Sequence, residues 1–82
     1  MPRFYLDVSV GDDFTRDDVG FDYDSLEIAE YEATRAAAEI GHDALPRRRT
    51  SEACVKVRDK DGFLLLTVDV SMTVRRTIRA LV

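Results

Sequence analysis

The clearest pattern in the chain is strict alternation at its start. Phe4, Leu6, Val8 and Val10 alternate with Arg3, Tyr5, Asp7 and Ser9. A period of two over eight residues predicts a half-buried β-strand. Gly11-Asp12-Asp13 breaks it, and Asp12 to Asp18 reads as an acidic, turn-prone stretch. Val19 to Tyr23 reads as a short second strand, weakened by Gly20. The period then changes. Leu26, Ala29, Ala33, Ala36, Ala37, Ile40 and Ala44 recur at three- and four-residue spacing, which predicts an amphipathic helix with a narrow, alanine-rich face. Asp24 as N-cap and Glu27 three residues later have capping-box spacing, and Pro46 ends the helix by Leu45.

Alternation returns after Pro46. Ala53, Val55 and Val57 alternate with Cys54, Lys56 and Arg58. Asp59-Lys60-Asp61-Gly62 predicts a type I turn with Gly62 left-handed, and Phe63 to Val70 is the returning strand. Leu64, Leu66, Val68 and Val70 would share one face; Phe63, Leu65, Thr67 and Asp69 the other. Val74, Ile78 and Leu81 fit either a short amphipathic helix or a tail over Ser71 to Val82. The expected fold is α+β: a small antiparallel or mixed sheet of three to four strands with one helix packed on one face, in the order β-(β)-α-β-β. The first strand and the strand after the helix are expected to be parallel neighbours joined by a crossover.

The 82 residues (1–82) make one domain with room for one small core. A single cysteine, Cys54, excludes an internal disulfide. The longest apolar run, Phe63 to Leu66, is far too short for a membrane helix, and Met1-Pro2-Arg3-Phe4 leads into an alternating segment that is not expected to act as a signal peptide. The expected location is therefore cytoplasmic, with no membrane contact. The net charge of −4 is unevenly spread. Residues 1–24 hold seven acids and two arginines; residues 47–82 hold nine bases and four acids.

At this point the chain resembles a family of small bacterial proteins with a single domain of unknown function. The resemblance rests on Pro2-Arg3-Phe4-Tyr5-Leu6, Asp18-Val19-Gly20-Phe21, Val55-Lys56-Val57-Arg58-Asp59, Asp61-Gly62 and Leu65-Leu66-Thr67-Val68, spanning about residues 2–70. Family members tend to carry histidine or an aromatic residue late in the first strand, where this chain reads Leu6-Asp7-Val8. The resemblance implies a fold of the β-α-β-β type and no reaction.

Candidate chemistry is thin. Placing Gly62 at the invariant glycine of a calcium loop puts Val57 and Val68 at ligand positions, so that reading fails. Asp12, Asp13, Asp17 and Asp18 could gather round a cation, or simply form a solvated loop. Cys54 and His42 lack a third, orienting group. No metal, cofactor or catalytic residue is assigned, and the protein is read as no enzyme, with a small enzyme of no recognisable site as the last-ranked alternative. Two surfaces stand out. A single helix covers one sheet face, so Tyr5, Phe63 and Leu65 on the outer face are candidate anchors for a homodimer or another protein. Arg47, Arg48 and Arg49 form a basic run that offers a second, less favoured reading, nucleic-acid binding.

Overall fold

The structure is a computed structural model and describes residues 2–47 and 52–78. One helix lies on a five-stranded antiparallel sheet. The strands are β1 (Arg3–Val10), β2 (Asp13–Thr15), β3 (Phe21–Asp22), β4 (Glu52–Asp59) and β5 (Leu64–Ser71); α1 (Leu26–Ala44) falls between β3 and β4. The sheet order is β2-β1-β4-β5, with β3 also pairing to β1. The α+β class and the helix on one face agree with the alternation and the helical spacing. The strand count is larger by the short β2.

β1 and β4 are neighbours as expected, but antiparallel, with Phe4 opposite Asp59 and Val10 opposite Ala53. The acidic stretch is the reason. Gly11 and Asp12 form a two-residue hairpin loop, with Gly11 at φ 58°, in the position a type II′ turn reserves for glycine. The chain thus returns along the edge of β1, first as β2 and then as β3, before the helix starts. The crossover therefore joins β3 to β4, which run the same way on either side of β1.

The helix begins one residue later than the capping-box spacing indicates. Tyr23 N–H still bonds to the carbonyl of Pro2, so Asp24 is taken up by the turn. Ser25 is the N-cap, and its Oγ accepts from Ile28 N–H at 3.3 Å. Leu45 closes the other end through its N–H to the Gly41 carbonyl. Gly41 is not the cap: it is buried within the helix, where an added Cβ would stand 3.0 Å from a Val70 methyl. Ala29, Ala33 and Ala37 are buried with it, and Leu26 is left exposed. These small residues let the helix lie close on Val55 and Val57, the largest fully buried side chains. Phe4 completes the buried centre, flanked by Leu6, Val8, Tyr23, Ile40, Leu66, Val68 and Val70. The helix sits over β4 and β5 and barely touches β1.

The β4–β5 turn forms as its sequence predicts. Gly62 has φ 89° and its N–H bonds to the Asp59 carbonyl, while Asp59 Oδ1 accepts from Asp61 and Phe63 N–H. One detail differs beyond it. The register skips Leu65, a β-bulge between the Val57–Leu66 and Arg58–Leu64 pairs. The bulge shifts the alternation, so Leu64 joins the outer-face row of Tyr5 and Arg58 and is exposed. Met72 to Ile78 are exposed and form neither helix nor strand, so the helical alternative is not realised over those residues. Among the described residues, no helix is long and apolar enough to cross a membrane.

Candidate functional site

Two edges bound the sheet, and the chain treats them differently. Along β1, β2 covers Val8 to Val10 and β3 covers Arg3 and Phe4. The gap between them is closed by a side chain. Asp17 Oδ2 accepts the Leu6 N–H at 3.1 Å, and its Oδ1 accepts the N–H groups of Val19 and Gly20. A carboxylate thus stands in for a missing stretch of strand.

The same loop folds over the outer face. Asp7, at 7% exposure, is the only buried charged residue among those described. Its Oδ1 accepts from Asp17 N–H and its Oδ2 from Arg58 Nε–H, each at 2.8 Å. Arg58 also donates to the Asp17 carbonyl at 2.8 Å and lies 4.6 Å from the centre of the Tyr5 ring. Gly20, at φ 79°, packs so tightly that a Cβ would come within 2.9 Å of Tyr5 Cε1 and Arg3 Cγ. Burial alone would raise the pKa of Asp7, but the Arg58 and Asp17 hydrogen bonds and the nearby arginine charges outweigh it and hold it below the ordinary carboxylate value. Asp17 is likewise lowered: burial opposes, and the N–H groups of Gly20, Leu6 and Val19 prevail, with help from Arg58. These groups bond one another and the backbone, so the cluster seals the edge and orders the loop.

The other candidate chemistry is dispersed. His42 lies exposed on the helix beside Asp43, and Cys54 lies half-buried in the outer-face row of Ser9 and Asp69. The sheet stands between them. Asp18 pairs with Arg16, and among the described residues no three His, Cys, Asp or Glu side chains are gathered to hold a metal. Arg47 is exposed just past the helix; Arg48 and Arg49 lie outside the described residues.

Tyr5 is engaged by Gly20 and Arg58, whereas Phe63 (69% exposed) and Leu65 (38%) are open, with Leu64 between them. All four stand at the hairpin end of the sheet. Farther along, the outer face turns polar: Asp7, Lys56 and Thr67 form one row, Ser9, Cys54 and Asp69 the next. Beside this end runs the second edge. Among the described residues β5 has a strand neighbour on one side only. Its eight residues carry a single charge, Asp69. A long, weakly charged edge strand is a ready template for another strand.

A second open surface lies on the inner face. Because the helix sits over β4 and β5, a groove of about 360 Å³ opens between α1 and β1. Leu6, Val8, Phe21, Tyr23 and Ala36 supply its apolar lining, and Glu32, Arg35 and Glu39 its charged rim. Phe21 stacks on Tyr23 at 5.9 Å and remains half exposed.

The matched family fits this architecture. The model of the Domain of unknown function (DUF6894) matches residues 3–71, from the first residue of β1 to the last of β5. The chain belongs to the DUF6894 family. No curated protein and no solved structure matches it. The DUF6894 region therefore comprises the whole sheet and helix, and Met72 to Ile78 lie beyond it.

Proposed function

We propose that this DUF6894 protein is a non-catalytic protein-interaction module of the cytoplasm that self-associates through the β5 side of its sheet. The observation that carries the reading is the edge of β5, which has no strand neighbour on one side among the described residues and is flanked by the exposed Phe63, Leu64 and Leu65. Antiparallel pairing of β5 with β5 of a second copy would satisfy the outward-facing N–H and C=O groups of both strands. The exposed leucines and Phe63 would supply apolar burial beside the ladder. Arg47 offers less. It follows a helix bearing five acids and one arginine, a surface that repels a phosphate backbone.

Replacing Leu65 with Asp places a charge in that interface while leaving the buried core intact. The expected product is a folded monomer, judged by circular dichroism and light scattering. A Leu65→Asp protein that keeps the oligomeric mass of the parent would remove the β5 side as the interface.

A further inference from the structure

The geometry points to an occupant for the groove between α1 and β1: the Met72–Ile78 arm of a second copy. The inference rests on the self-association proposed above.

Arm and groove match in polarity and charge. Val74 and Ile78 are 81% and 73% exposed, and Met72 is exposed as well, so the arm's apolar side chains find no cover on their own domain. The groove offers Leu6, Val8, Phe21 and Tyr23. Arg75 and Arg76 give the arm two positive charges and no negative one. Glu32 and Glu39 stand on the groove rim with only Arg35 between them, 3.1 Å and 3.8 Å away respectively. The surrounding segment, residues 12–47, holds eleven acids against three arginines, so the field over the groove is negative.

The reach is also adequate. An eight-residue strand spans about 27 Å and a 19-residue helix about 28 Å, yet the protein measures 61 Å along its longest axis. The arm continues from the end of β5 and stands clear of the body. When two β5 strands pair antiparallel, each arm leaves toward the partner's 59–63 hairpin, the same end at which β3 and Tyr23 form the mouth of the groove. From one β5 to the partner's β1 is three strand spacings, about 14 Å. Seven extended residues span about 23 Å. The arm thus crosses the end of the partner sheet and enters at Phe21 and Tyr23.

Disulfide trapping tests this in full-length protein carrying Cys54→Ser. A Val74→Cys chain is mixed with an Ala36→Cys chain of different tag mass, and separately with an Ala38→Cys chain, whose thiol lies on the exposed side of the same helix. Mild oxidation should join Val74→Cys to Ala36→Cys at about tenfold or more the yield with Ala38→Cys, as a raised local concentration requires. Equal yields in a sample of dimeric mass would overturn the arm's docking and leave self-association standing. A within-chain disulfide in a Val74→Cys/Ala36→Cys double variant of monomeric mass would show the arm folding onto its own copy and overturn the proposal. Monomeric mass with no selective cross-link would remove both readings together.

Discussion

The two edges of the sheet make the most instructive comparison in this molecule. β1 is sealed by thirteen residues, 11–23, that supply two short strands and the Asp17 carboxylate for the Leu6 amide left between them. β5 is as long as β1 and has no such cover among the described residues. Unpaired strand edges invite association, and proteins commonly blunt them. Blunting one edge and leaving the other without a strand neighbour among the described residues would direct association to a single side. This asymmetry underlies the proposed interface, and perturbing each edge in turn sharpens or breaks it.

The largest effect is expected at the sealed edge. Asp17→Ala removes the acceptor of three backbone N–H groups and should cost about 3 kcal/mol, given that bonds to a charged group contribute about 1.5–3 kcal/mol each before exposure reduces them. Urea unfolding would read this as a lower midpoint. An Asp17→Ala protein as stable as the parent would mean that the carboxylate does not close the edge. The same groups set the acid limit. Asp7 and Asp17 titrate below their ordinary values in the folded protein, so their stabilisation is complete above the unfolded carboxylate pKa. It is lost as pH falls through the lower folded values. Stability measured from pH 7 to pH 2 should therefore be level at first and fall below about pH 4. An Asp17→Asn variant should show a shallower acid limb.

Gly20→Ala comes next. The positive φ and the 2.9 Å approach to Tyr5 act together, for a cost of about 2 kcal/mol. At the hairpin leading to the bare edge, Gly62→Ala meets no neighbouring atom within 4 Å. Its cost is the left-handed backbone alone, about 1 kcal/mol. Similar losses at the two glycines, measured in one urea series, would contradict the account of Gly20 as a packing position. Leu65→Asp should change fold stability least, by about 0.5 kcal/mol, while removing the proposed self-association.

Much of the fold was legible because burial imposes a period. β1, β4 and β5 alternate, and the helix repeats every three to four residues. β2 was not legible. Asp13, Phe14 and Thr15 are all exposed, so no burial pattern marks them as a strand. Without that return along β1, alternation alone implies a parallel pair where β1 and β4 are antiparallel. The bulge at Leu65 was hidden for a related reason: the run from Phe63 to Leu66 is apolar throughout and carries no phase. The Asp7–Asp17–Arg58 cluster joins residues separated by 10 and 51 positions. Its one local signal was Asp7 itself, an acid set in an otherwise half-buried strand. The groove follows from the helix lying off the sheet's centre, which no pattern within a single element reports. Phe63 and Leu65 were legible as exposed apolar positions, whereas Tyr5 is held by Gly20 and Arg58.

The most direct test of the bare edge is the native mass of the purified protein by light scattering, at low and high salt. The account predicts a dimer near twice 9.3 kDa that persists at high salt, because strand pairing and leucine burial are weakly screened. A mass of 9.3 kDa at every concentration and salt would contradict it.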